Sequence, residues 1–241
     1  MENDFKKLSI IIPVWKGQDF IEECLDSIYA QPEIKKNKIE YEVLIGIDAC
    51  EESKNKLLEI KDNYKNLFIF YNEKNTGPYI IRNTLAYISS GSHLLFFDAD
   101  DVLFKNVFKY IIEQNDYLKL FFRCFSENIK KLRNDKKIAE GVFYISKKIF
   151  YSAGGFYNFK CGADTEFHNR TEKNQLSFNK INQIFFARRQ HINSQTNNSE
   201  TGMLSKYRQK IKKFIYSLLN SENYELYVSP VLCTMKKLKE K

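Results

Sequence analysis

None of the five cysteines, Cys24, Cys50, Cys124, Cys161 and Cys233, stands in a C-x-x-C pair; their number is odd and their spacing wide. This argues against a disulfide framework or a zinc site and for a reducing compartment, so a cytoplasmic protein is expected. No segment approaches the roughly 18 apolar residues needed to cross a bilayer. The opening MENDFKKLSIIIPVW offers an apolar run of only about seven residues with no cleavage signal behind it, so no signal peptide is expected. There is no internal repeat, and no low-complexity tract beyond a general excess of Lys and Asn. What remains is a soluble or peripheral chain of 241 residues, 43% of them apolar, long enough for one large α/β domain with a tail.

The formal charge of +8 is unevenly placed. From Met203 onward, nine Lys or Arg stand against three Glu, so +6 of the excess sits in the last 39 residues. The expected division is therefore a domain over 1–202 and a basic, partly helical tail over 203–241. In that tail Leu204, Tyr207, Ile211, Phe214, Ile215 and Leu218 form one helical stripe. Such a helix packs on its own domain or makes a peripheral contact with an anionic membrane. Nucleic acid is not an expected partner, because the basic residues carry no recognised motif and the candidate pocket is acidic.

The chain is organised around Ser92–Phe104, SHLLFFDADDVLF. His93 to Phe97 suits one buried strand, and it ends in Asp98, Asp100 and Asp101. Alternation points Asp98 and Asp100 the same way, while Asp101 points elsewhere or starts the next helix. Two like charges that close repel unless a cation or a donor array compensates them, which suggests Mg²⁺ or Mn²⁺. A solvated turn explains the same residues without a ligand.

Upstream, strand and helix alternate three times. Strands are predicted over Leu8–Val14, Tyr41–Ile47 and Leu67–Tyr71, and helices over Gln18–Ala30, Ser53–Tyr64 and Tyr79–Ser89. Right-handed crossovers then bring Trp15, Asp48, the segment Asn72 to Gly77, and Asp98 to Asp101 to one sheet edge. Downstream, a helix over Lys105–Asp116 and a strand over Leu118–Phe125 precede a polar loop from Glu127 to Lys137. A strand over Gly141–Ile145 and a helix over Lys147–Ser152 follow, then Gly154-Gly155, whose flexibility suits a turn or a ligand's close approach. A further helix carries Asp164 and Glu166 in its first turn, as caps or as functional acids, and a strand over Gln183–Arg188 leads to Arg189-Gln190-His191.

Read together, these stations resemble the family 2 glycosyltransferases, over about Leu8 to Thr196. The opening strand through Pro13 and Trp15 is similar to the family's first strand. Asn75-Thr-Gly77, Arg82-Asn83 and Asp98-Ala-Asp100-Asp101 are similar to its Asn-x-Gly, Arg-Asn and Asp-x-Asp series. Gly154-Gly155-Phe156, Asp164-Thr-Glu166 and Arg189-Gln190-His191 with Ser194 and Thr196 are similar to its later stations. The chain departs from the family at Lys16, at Ala49-Cys50, and at Ala163 in place of a Glu.

The resemblance implies a GT-A fold, which is Rossmann-like, with a mixed, mainly parallel sheet flanked by helices, and here a basic helical tail. It implies a metal-dependent, inverting transfer of a sugar from a nucleotide diphosphate to a glycan or lipid-linked acceptor, in surface polysaccharide or glycoconjugate synthesis. Asp100, Asp98 and His191 would hold the divalent ion. Pro13, Trp15, Asp48, Asn75, Gly77, Arg82, Asp98, Gly155, Arg188 and Arg189 would hold the donor. Trp15 stacking on the base and Asp48 accepting from its ring N–H favour a uracil or thymine nucleotide, hence a UDP-sugar. Asp164 is the expected general base, with Glu166 in reserve. Two other readings are kept: a haloacid-dehalogenase-like phosphatase using Asp98 and Asp100, and a non-catalytic nucleotide-sugar-binding domain. The phosphatase motif, however, opens its own catalytic domain, whereas here about 90 residues of patterned α/β sequence precede it.

Overall fold

The structure is a computed structural model describing residues 7–112, 116–126, 136–176, 178–179, 181–191, 194–221 and 229–238. Most of the expected polar loop at 127–137 lies outside them.

Strand β1 (Leu8–Val14) forms where expected, because LSIIIPV is apolar on both faces and almost fully buried. It lies between β2 (Tyr41–Asp48) and β4 (His93–Phe96), parallel to both, and β3 (Leu67–Asn72) extends the parallel set beyond β2. Pro13 interrupts nothing. Ile11 accepts the Phe97 N–H, so Pro13, two residues on, faces the same side at a point that β4 has already left.

Beyond β4 the sheet changes direction. Strand β7 (Lys137–Ser146) runs antiparallel to β4 and to β6 (Tyr117–Ser126), while β8 (Ile184–Gln190) runs parallel to β6. Strand β5 (Val102–Leu103), where sequence suggested a turn or helix start, pairs antiparallel with β8. Strand β9 (Lys236–Lys237) closes the other edge against β3, giving the order β5-β8-β6-β7-β4-β1-β2-β3-β9 among the described residues.

Helices cover both faces. Ile10, Ile12, Val43 and Ile45 point to the face covered by α1 (Ile21–Tyr29), α3 (Glu51–Ile60) and α5 (Val107–Ile112). Ile11, Leu44, Leu94 and Phe96 point to the other, covered by α4 (Pro78–Ile88), α6 (Lys147–Ser152) and α7 (Ala163–Lys173). A short helix, α2 (Pro32–Lys35), links α1 to β2. Gly46 in β2 lets α4 approach closely, since a Cβ there would lie 2.4 Å from the Ile81 side chain.

Helix α8 (Lys206–Leu219) packs on the start of α7, where Ile211 and Ile215 lie against Gly162. Of the predicted stripe only Ile215 is fully buried; Leu204 is 93% exposed and precedes the helix. Among the described residues no helix is long and apolar enough to cross a membrane.

Candidate active site

Four parallel strand ends and the end of β8 meet at one edge. Just past β1, the Trp15 ring is half exposed, with the Lys16 ammonium 4.7 Å from its centre. The following Gly17 N–H donates to Ser53 Oγ at 3.0 Å, which fixes the turn to α3.

At the end of β2, Asp48 is buried and already occupied. Its Oδ1 accepts from Thr76 N–H at 2.8 Å, Asn72 Nδ2 at 3.1 Å and Thr76 Oγ1 at 3.3 Å, and its Oδ2 accepts from Gly77 N–H at 2.8 Å. Through these bonds Asp48 shapes the loop that starts α4. Gly77 has φ +88 with open space where a Cβ would be, but its N–H is spent on Asp48. Asn75 is exposed beside it, its Nδ2 3.4 Å from the Asp48 carbonyl.

The first turns of α4 reach in three directions. Tyr79 Oη donates to Asp164 Oδ1 at 3.0 Å. Arg82, 4% exposed, forms an ion pair with Asp98. Asn83 exchanges two 2.9 Å hydrogen bonds with the Phe156 backbone. This last pair explains the glycines before Phe156. Gly155 sits at φ +67 with Asn83 Oδ1 2.8 Å from where a Cβ would be, and its carbonyl accepts from Arg170 at 2.6 Å. The protein's own packing takes up the close approach assigned to a donor.

At the end of β4 the three aspartates gather, with one carboxylate oxygen of each within 4.8 Å of the others. Asp101 neither points away nor starts a helix; it is buried, and its Oδ1 accepts the Arg189 N–H at 3.1 Å. Its Oδ2 is buried without a hydrogen-bond partner. Burial, then the charges of Asp100 and Asp98, pushes the Asp101 carboxyl well above the usual range. Burial also raises Asp98, against the pull of Arg82.

The end of β8 supplies the opposite charge. His191 Nε2 meets Asp100 Oδ2 at 2.9 Å and the ring lies 4.7 Å from Phe20. Burial works against the charge of Arg188, yet Asp101, Asp98, Asp100 and Asp164 together hold its pKa above the usual value. Arg189 points the other way. It donates from Nε to the Asp100 carbonyl at 3.2 Å and pairs with Glu23, contacts that hold the aspartate loop.

Asp164 lies across the cleft at the start of α7, partly exposed. Glu166, the reserve base, faces the opposite way: it is 0% exposed and binds Arg170 through two hydrogen bonds of 2.7 and 2.9 Å. It has no access to a substrate.

The sequence reading overlooked Tyr79, Gly141 and the inward turn of Asp101. Tyr79 was discoverable, since it stands three residues before Arg82 and shares its helix face. The other two depend on contacts made by strands far away in sequence.

A divalent ion fits the aspartate cluster. The donor set is oxygen-rich and acidic, it includes a buried carboxylate oxygen without a hydrogen-bond partner among the described residues, and the His191 imidazole can complete it. Asp98 is the least free of the three, because Arg82 already holds it.

Comparison with known proteins identifies the family and the fold. The family model "Glycosyl transferase family 2" matches residues 9–211. A poly(ribitol-phosphate) beta-glucosyltransferase of Bacillus spizizenii is 35% identical over 99 residues, 40% of this chain and 15% of that protein. An uncharacterized glycosyltransferase of Mycoplasma genitalium is 30% identical over 139 residues, 52% of this chain and 45% of that one. The chain thus spans less than half the length of either relative. Among solved structures, Staphylococcus aureus TarS 1-349 in complex with UDP-GlcNAc superposes with TM-score 0.65 at 19% identity, covering 90% of this chain and 67% of that one. The complex of TarS with UDP gives 0.63 at 18% identity, covering 90% and 66%. The mixed sheet flanked by helices is the GT-A arrangement.

Proposed function

Since this chain belongs to glycosyl transferase family 2, we propose that it moves a sugar from a nucleotide diphosphate to an acceptor hydroxyl, with inversion at the anomeric carbon. The observation that carries the reading is the meeting of Asp98, Asp100 and His191 at one strand end, with Asp164 across the Arg82 cleft. The phosphatase alternative leaves the strands before Asp98 without a role, and the family match runs through them.

In this reading Trp15 stacks on the nucleobase. Asp100 and His191, with Asp98 or Asp101, would hold Mg²⁺ or Mn²⁺. When bound there, the ion supplies positive charge against the leaving group. Arg188 faces the same developing charge from β8. Asp164 accepts the proton of the acceptor hydroxyl as its oxygen bonds to the anomeric carbon and the bond to the diphosphate breaks. A single displacement of this kind inverts configuration.

A uridine donor is supported by the TarS complexes with UDP and UDP-GlcNAc. A glycan or lipid-linked acceptor in surface polymer synthesis is supported by the poly(ribitol-phosphate) transferases among the relatives. The odd number and wide spacing of the cysteines support a cytoplasmic setting, and the lysines of α8 support a peripheral membrane contact.

The test is a thermal-shift panel of UDP, GDP, CDP and dTDP with and without Mn²⁺, followed by transfer assays on Asp164→Asn. The expected result is a shift requiring metal and uridine, and a variant that binds but does not transfer. Failure of every nucleotide to shift the melting curve would overturn the reading.

A further inference from the structure

Two features around Asp164 have no part in the mechanism as described. Tyr79 is 2% exposed, and its ring packs 5.4 Å from Phe156. Its hydroxyl bridges two segments, accepting from Gly162 N–H at 3.2 Å and donating to Asp164 Oδ1 at 3.0 Å. The Thr165 N–H reaches the same oxygen at 2.9 Å. Asp164 Oδ2 has no hydrogen-bond partner among the described residues. The space beside it belongs to Gly141 of β7, where a Cβ would lie 3.3 Å from Oδ2 and 3.7 Å from both terminal nitrogens of Arg82. Oδ1 is thus tied to the protein from two sides, while Oδ2 is turned toward Gly141 and the arginine that holds Asp98.

We propose that Tyr79 is a positioning residue that locks Asp164 through Oδ1, leaving Oδ2 to take the acceptor's proton, and that Gly141 keeps vacant the space where the acceptor hydroxyl sits. The inference rests on Asp164 being the general base. In the step it refines, the acceptor O–H bond breaks toward Oδ2 while the oxygen bonds to the anomeric carbon and the nucleoside diphosphate departs. A Tyr at position 79 contributes both a rigid aromatic body wedged in the core and one donor at its tip, so Phe retains the packing and removes only the donor. A side chain at 141 would crowd the carboxylate and fill the acceptor's place.

The test uses the full chain, a UDP-sugar and an acceptor turned over by the wild type. Tyr79→Phe is expected to lower kcat about tenfold, a fraction of what a general base supplies, with the KM for donor unchanged. Its melting curve is expected to shift with UDP and Mn²⁺ as in the wild type, so the loss falls on the chemical step. Gly141→Ala is expected to raise the KM for acceptor severalfold while UDP with Mn²⁺ still shifts the melting curve as in the wild type. This second variant carries the test by itself should Tyr79→Phe melt early. Wild-type kcat in Tyr79→Phe, beside an inactive Asp164→Asn, would overturn the role of Tyr79 alone. An unchanged acceptor KM in Gly141→Ala would overturn the assignment of the gap. Full transfer by Asp164→Asn would instead remove the base on which the proposal stands.

Discussion

The ends of β2 and β4 both deliver aspartate to the same edge of a parallel sheet, and the surrounding protein uses them in opposite ways. Asp48 receives four hydrogen bonds from Asn72, Thr76 and Gly77, so its charge is spent on building the loop before α4. Asp100 meets an imidazole and two further carboxylates, so like charges crowd it where donors surround Asp48. The same residue type at the same kind of strand end is structural where backbone N–H groups converge on it, and a ligand candidate where like charges do. Asp164 and Glu166 repeat the contrast two residues apart, one facing the cleft and the other paired with Arg170 in the core.

The largest effect expected from breaking this contrast is at Asp164. Asp164→Asn should reduce transfer by about 10²–10⁴-fold, the usual contribution of a general base, with metal-dependent nucleotide binding retained. A transfer assay beside a thermal-shift titration reads both. Its neighbour should behave in the reverse manner: Arg170→Met strands the buried Glu166 charge and should cost about 3–5 kcal/mol of stability by denaturant unfolding. Asp48→Ala, which leaves the Thr76 and Gly77 N–H groups without their acceptor, should cost about 2–4 kcal/mol. Asp100→Ala should leave the unliganded protein's stability near wild type, because it removes a repelling charge. Equal destabilisation by the two alanines would erase the distinction between the strand ends.

The smallest effect concerns a buried histidine that takes no part in the proposed transfer. His168 is held between the Tyr117 hydroxyl and the Glu140 carbonyl, and burial, with the nearby Lys119 charge, keeps its pKa well below the usual value. Below pH 6.5 the unfolded chain binds a proton that the folded protein refuses, so stability falls with acidification by up to about 1.4 kcal/mol per pH unit. Melting curves between pH 7 and 5 should show a flatter dependence in His168→Gln.

Much of the fold was legible from local pattern. The strand Leu8–Val14 and the helix Lys147–Ser152 lie where their residues predict them, since continuous apolar runs and a Ser cap are local signals. Strand β7 begins at Lys137, four residues before the run Gly141 to Ile145, because the intervening residues pair with β6 and bury Ala139, while Lys137 and Glu140 break the apolar run. Strand β5 has two residues and exists only by pairing with β8, some 80 residues later, so nothing in Val102-Leu103 announces it. For the site, residue types and their order indicated the aspartates, His191 and Asp164. Which way each carboxylate was committed could not be read, because Asp48, Glu166 and Arg189 are each satisfied by partners whose positions only the packed sheet and helices define.

The central claim is that the β4 carboxylates, and not those of β2 or α7, join a divalent ion to the nucleotide. Calorimetric titration of UDP into the wild type, Asp100→Asn and Asp164→Asn, each with Mn²⁺ and with chelator, tests it most directly. The account predicts binding by the wild type and by Asp164→Asn only when Mn²⁺ is present, and none by Asp100→Asn. Binding of UDP with equal affinity in chelator, undiminished in Asp100→Asn, would contradict it.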